Sequence, residues 1–399
     1  MTRDTRFLHG FRFFLALWVA LAHFYVAIGG PKFIDLGFAG GVLLSASVAV
    51  DGFIVLTGFL MGYTYKHNLN PITNNYKETI LYFWVRRLFR LYPVYILSII
   101  VAYLLVGETS KFNAELLYYF TGDNVTPWGT ERNIENVSIL NLLSHITFIH
   151  GFIPNYVTSI LPPAWSMSIE IQYYIVFPFL YLWLFSNGRR IKKYFLFILT
   201  LFLLLSFVAP KLFGLYLTPG SIIHYGQPSL LIYKLPLFIL GTVMALVIKS
   251  QLKIGYFIIT LLAVMFVQSK LTNFIISILV IFMFLENLKK YTGKTIYTIL
   301  NSIKKLLSTR LAEVGANISY SLYLVHMITL PLILKLVVNL INFPKIKVAL
   351  VSLVLFISVT FLISYLLYYF IEKPFILLGK KIIILPERKG NKKRIDIKI

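Results

Sequence analysis

The chain has 399 residues, of which 58% are hydrophobic and 13% charged, and a formal net charge of +23. Soluble domains carry roughly 45–50% apolar and about 25% charged residues, so a soluble fold of this length could not hide 34 Phe and 26 Tyr. The lack of cysteine excludes disulfides, thiolate metal ligands and a thiol-bound acyl intermediate.

Apolar runs of about 15–25 residues predict helices at roughly 11–29, 41–63, 91–107, 164–186, 194–209, 229–249, 253–268, 272–286, 314–340 and 348–370. The expected fold is an all-α integral membrane protein, a bundle of about ten transmembrane helices. With the N-terminus inside, segments 1–12, 64–90, 187–193, 249–253, 286–310 and 371–399 hold 29 of the 38 Lys and Arg. That is the positive-inside pattern, and an even number of spans puts the C-terminus inside as well. Residues 1–370 then form one transmembrane domain and 371–399 a basic cytoplasmic tail. The charge is assigned to topology and to membrane lipid rather than nucleic acid. Arg12 abuts the first apolar run and no A-x-A site follows, so this run reads as a span and not as a cleaved signal. No G-x-x-x-x-G-K-[ST] loop and no internal repeat is visible.

The first span, "FRFFLALWVALAHF", holds Arg12 and His23. Eleven residues separate them, about 16 Å along a helix and within roughly 20° of the same face. Arg12 alone reads as an anchor at the inner surface. An imidazole inside a span either packs with one satisfied hydrogen bond or serves a function. Asp51 lies near the middle of the second span, where a carboxylate needs a partner. His23 or an arginine is expected, and an Asp–His pair would orient a catalytic base.

At the inner start of the third span, "LYFWVRRLFRLYPVY" clusters Arg86, Arg87 and Arg90. These suit lipid phosphate or a phosphorylated cytoplasmic ligand, since Arg pairs bidentately with phosphate. In "LPPAWSMSIEIQYYIVFP", Trp165 fits an interfacial anchor. Ser166, Glu170 and Tyr174 recur at i, i+4, i+8 on one stripe of a helix entering from outside. Glu170 reads as a solvated helix start or as a group acting beside a buried histidine. In the ninth span, Tyr320, Tyr323 and His326 make a loose polar face, read as hydrogen bonds inside the bundle or, for His326, as part of the site.

Six stretches in order resemble the membrane acyltransferase family 3, the bacterial O-acyltransferases: "RFLHGFRFFLALWVALAHF", "VAVDGFIVLTGFLM", "RRLFRLYPVY", "WSMSIEIQYYIVFP", "ISYSLYLVH" and "YYFIEKPF". The chain departs from the family pattern at His9, where an aspartate is usual, and at Thr57, where a serine is usual. The resemblance implies a multi-pass protein of the bacterial inner membrane that transfers an acyl group to an acceptor hydroxyl. The donor is cytoplasmic acyl-CoA, with acetyl-CoA the first expectation, and no metal is involved. The acceptor is a surface or lipid-linked glycan, such as O-antigen, capsule or peptidoglycan, or a small molecule. It also implies that His23 is the catalytic imidazole, with Asp51 or Glu170 orienting it. Arg12, Arg86, Arg87 and Arg90 would bind the CoA phosphates, and Trp165, Ser166 and Glu170 would belong to the acceptor side, to which the reading of the polar helix faces adds Tyr174 and His326.

The rival reading from another class is a transporter or flippase for a lipid-linked glycan. It would use the same buried polar residues as a substrate path, although the repeat symmetry many secondary transporters show is missing. Consumption of acyl-CoA with release of free thiol separates the two.

Overall fold

Long apolar runs with few breakers satisfy their backbone groups internally only as helices. The computed structural model describes residues 5–65, 76–123, 137–184, 225–388 and most of 194–208. Its helices in chain order are α1 (Phe7–Ala27), α2 (Phe38–Leu44), α3 (Ala46–Thr64), α4 (Tyr76–Thr121), α5 (Ile139–Ile146), α6 (Ala164–Leu184) and α7 (Leu231–Ile248). They continue with α8 (Ile254–Val267), α9 (Lys270–Leu288), α10 (Lys294–Leu306), α11 (Arg310–Leu340), α12 (Lys345–Leu367) and α13 (Lys373–Arg388). A π turn, Tyr368–Glu372, joins α12 to α13 without a break.

Among the described residues, seven helical stretches are long and apolar enough to cross a membrane: α1, α3, α4, α7, α9, α11 and the run Lys345–Ile382. The described part of the chain is thus helical throughout its long elements, as a multi-pass membrane protein requires. The shortfall from ten has local reasons. Helix α6 has the length, but Ser166, Ser168, Glu170 and Gln172 make its first half polar. Helix α8 has only 14 residues, about 21 Å. The span expected at 194–209 lies partly outside the described residues, as does the tail beyond 388.

Two other expectations change. The run 41–63 is divided at Ser45, whose hydroxyl bonds the carbonyl of Gly41 between α2 and α3. The span expected at 91–107 is the middle of α4, a helix of 46 residues with Pro93 inside it, about 69 Å long.

Small residues set the closest crossings, as they do between helices in lipid. A Cβ at Gly58 of α3 would collide with the carbonyl oxygen of Phe238, and one at Gly241 of α7 with that of Val55. These two backbones therefore touch. Helix α1 packs along α11, where Gly315 leaves room for the ring of Phe13. The N–H of Gly10, one of the donors a helix start leaves unsatisfied, is met by the carbonyl of Leu307 at 3.0 Å.

Between α5 and α6 the chain folds into short 3-10 turns, Ile149–Phe152 and Pro154–Tyr156. Side chains of the bundle hold this segment by its carbonyls. Tyr95 donates to His145 (2.9 Å), Ser168 to Phe148 (3.0 Å), Ser229 to Gly151 (2.6 Å) and Tyr225 to Phe152 (2.9 Å). Phe148 has φ +61, a left-handed conformation rare for a bulky residue and kept only where surroundings enforce it.

Candidate functional site

Helices α1, α3, α4, α6, α7 and α11 line a pocket that is partly open to its surroundings. Its lining is mixed in chemistry. From α3 and α7 come mainly apolar groups such as Ile54, Leu60 and Phe238, whereas Arg12, Arg87, Arg90, Ser166, Glu170 and Tyr174 come from α1, α4 and α6. Eight of the residues singled out in the sequence, Tyr320 and Tyr323 among them, thus share one space.

Each polar group is held by a neighbour. Arg12 Nη2 donates to Ser319 Oγ at 3.4 Å. Ser319 is nine residues past the start of α11, so Arg12 is turned into the bundle and not outward as a snorkelling anchor would be. The guanidinium of Arg87 lies over the rings of Phe83 and Tyr174, 5.6 and 5.4 Å from their centroids, a geometry in which the ring face attracts the cation. Tyr174 donates a short hydrogen bond to Glu170. The carboxylates coupled to Arg12 are Glu372 and Glu170, and Arg90 opposes it. Three guanidiniums face at most two carboxylates, so the basic part of the lining keeps a positive surplus.

Arg86 is exposed and does not line the cavity. The arc of α4 that faces inward carries Arg87, Arg90 and Leu91. Arg86 lies about a quarter turn away from the centre of that arc. Trp165 is buried among core side chains and is not an interfacial anchor; its neighbour Ser166 reaches the cavity.

Beyond the cavity, Tyr323 stands between it and two histidines. Its hydroxyl lies 2.8 Å from Ser166 Oγ, and its ring centroid is 6.0 Å from that of His326. His326, placed with the acceptor by the sequence, is seated against His23, with Nε2 at 3.4 Å from His23 Nδ1. His23 Nδ1 also lies 2.8 Å from the carbonyl of Val19, and His326 Nδ1 lies 3.2 Å from that of Leu322. A carbonyl only accepts, so these contacts assign the proton of each ring to Nδ1. His23 is left with its lone pair on Nε2, and its Nδ1–H faces the lone pair of His326.

The expected pairing of Asp51 with His23 or an arginine does not form. Asp51 Oδ1 accepts from Lys234 Nζ at 2.6 Å and Oδ2 from Thr272 Oγ1 at 3.0 Å. The reason is helical phase: Asp51 points from α3 toward α7 and α9, away from α1. Sequence reasoning passed over Lys234, although a lone cation in the apolar run "LLIYKLPLFILG" is a visible signal. It also passed over Glu372, buried in the π turn and accepting from Ser321 at 3.2 Å.

Known proteins resemble this chain in sequence. A segment of 178 residues is 25% identical to "Acyltransferase MdmB" of Streptomyces mycarofaciens, covering 44% of this chain and 38% of that protein. The chain therefore spans about two fifths of the length of the curated relative it matches. No solved structure matches it. The family of the acyltransferase domain of type 3 matches residues 5–369, nearly the whole chain, and to that family the protein belongs.

Proposed function

We propose that this protein is an O-acyltransferase of the bacterial inner membrane, with both termini inside. It moves an acyl group, acetyl in the first instance, from cytoplasmic acyl-CoA to a hydroxyl of a surface or lipid-linked glycan. The observation that carries the reading is the convergence of Arg12, Arg87 and Arg90 on one pocket whose lining from α3 and α7 is mainly apolar. Guanidiniums bind phosphate oxygens bidentately, and the apolar lining suits a pantetheine arm and an acyl group.

In this reading the thioester carbonyl reaches past Tyr323 toward His23. Nε2 of His23 takes the proton of the acceptor hydroxyl as its oxygen bonds the carbonyl carbon. The C–S bond breaks, and the same proton passes to the departing sulfur, giving the ester and free CoA. The imidazolium formed in between carries a positive Nδ1–H, and Nε2 of His326 lies where it stabilises that charge. His326 thereby takes the orienting position expected of Asp51, as a neutral acceptor instead of a carboxylate. Asp51, paired with Lys234, is assigned to holding α3, α7 and α9 together. Glu170 holds Tyr174 and balances the guanidiniums.

The test is transfer from labelled acetyl-CoA in membranes bearing the wild type or His23→Ala, with free CoA followed in parallel. Label on the host glycan and CoA release in the wild type only is the expected result. Equal CoA release by both overturns the role of His23. Loss of glycan export without CoA turnover in either gives the case to a flippase. A labelled acyl-enzyme trapped in the absence of acceptor would route the group through His23 itself.

A further inference from the structure

Helix α10 is unlike the rest of the chain. It lies between the neighbouring ends of α9 and α11, and its 13 residues, about 20 Å, are too short to cross a ~30 Å hydrocarbon core. None of them is buried. Ile296, Ile299, Ile303 and Leu306 recur at i, i+3, i+7, i+10 and are 58%, 55%, 42% and 69% exposed. Lys294, Thr298 and Lys305 lie on the opposite side and are exposed as well. The flank between the two faces touches the bundle, through Leu300, through Lys304, whose Nζ lies 5.3 Å from the ring centroid of Phe7, and through Tyr297, whose hydroxyl donates to Glu286 of α9 at 3.0 Å.

From these observations we infer that α10 lies in the plane of the membrane surface, its isoleucine face in the acyl chains and Lys294 and Lys305 on the headgroups of anionic phospholipid. Two features choose lipid over a protein partner. The apolar face continues onto Leu311 and Val314 at the start of the membrane helix α11, 78% and 40% exposed, so one apolar belt runs from span to surface helix. The opposite face is basic, and Lys289, Lys290 and Arg310 flank the helix at either end, as in interfacial helices that bind anionic bilayers. The helix is also fixed to the candidate site. Leu307, just past its end, accepts from the N–H of Gly10, and a Cβ on Gly10 would lie 2.6 Å from Leu307 Cα. The membrane surface under α10 therefore sets the height of α1 two residues before Arg12.

Because the chain has no cysteine, single-cysteine labelling of the full-length protein tests this without further changes. Ile303→Cys and Thr298→Cys each receive an environment-sensitive fluorophore, in nanodiscs of phosphatidylcholine alone or mixed with phosphatidylglycerol. The expected result is a blue-shifted probe at 303, quenched by spin-labelled lipid and shielded from iodide, and the reverse at 298. Shielding at 303 should be stronger with phosphatidylglycerol, and Lys294→Gln with Lys305→Gln should remove that difference. Equal access of iodide to both probes overturns the proposal. So does a probe at 303 shielded from iodide yet untouched by spin-labelled lipid, which would mean that protein covers the face. Shielding that ignores lipid charge overturns the role of the two lysines.

Discussion

His326 Nε2 stands 3.4 Å from His23 Nδ1, between two helices that run side by side. The side chain seated against His23 Nδ1 is thus a second imidazole and not the carboxylate of Asp51. General acid–base groups contribute about 10²–10⁴-fold. His23→Ala should abolish transfer, and His326→Gln should lower kcat by about 10²-fold while leaving the donor KM near its wild-type value. Steady-state kinetics on purified protein decide this. A rise in donor KM at constant kcat would instead place His326 in binding.

Arg87→Ala and Arg90→Ala should each weaken acyl-CoA binding. A hydrogen bond to a charged group is worth about 1.5–3 kcal/mol, which converts to roughly 10–100-fold in affinity. Arg86→Ala, which removes an exposed side chain off the cavity, should change it little. Isothermal titration with a non-hydrolysable CoA thioether separates the three positions.

The buried pair Lys234–Asp51 gives an opposite pattern in single and double variants. Removing one partner of a buried ion pair costs about 3–5 kcal/mol, whereas replacing both by apolar groups is often neutral. Lys234→Met and Asp51→Leu should each lower the melting temperature in detergent, and the double variant should recover most of the loss. If the double variant is stable but inactive, Asp51 has a part in the chemistry.

Gly241→Ala should destabilise by about 1–3 kcal/mol, the usual cost of overpacking, because its new carbon would meet the Val55 carbonyl of α3. Gly41→Ala, where nothing lies within 4 Å, is the matched control. Thermal unfolding of the pair measures the difference.

Outside the membrane helices, His145 and His150 stack at 4.1 Å between centroids, both fully buried. Burial and the neighbouring ring push His145 well below the usual histidine range, and burial lowers His150 to about 4. Both are therefore neutral in the fold and charge readily once unfolded. The unfolded state takes up more protons below about pH 6.5, so stability falls as pH drops from there to about 4. His150 alone would remove about 3 kcal/mol over that window. A melting temperature independent of pH between 6.5 and 4 would contradict it, and His150→Asn should flatten the curve.

How much of this was legible in sequence depends on whether one helix or two are involved. The shared face of Arg12 and His23 follows from their spacing, and both do meet α11, at Ser319 and His326. The partners themselves are contacts between distant segments, which helical periodicity does not encode. Asp51 shows the limit, since its place in α3 was readable but its direction, toward Lys234, was not. The ends of α4 were lost for another reason. Lys77, Glu78, Glu108 and Lys111 interrupt the apolar run, yet polar residues do not end a helix whose backbone bonds continue. Gly58 was noted only as part of a motif, and its reason is the Phe238 carbonyl against it.

The π turn at Tyr368–Glu372 has a meaning for how this helix can change over evolutionary time. A wide turn holds one residue more than the α geometry needs, as happens where a single residue enters an existing helix. Here Glu372 faces inward to Ser321, while Tyr369 and Phe370 face out. Deleting one residue between 368 and 371 would restore regular winding and leave α13 close to its present phase, because the wide turn is what absorbs the extra residue. The outward-facing residues of the turn would be redistributed, while Glu372 and the basic α13 would keep their side of the helix. One residue can thus be gained or lost at this place without turning the segment that follows it.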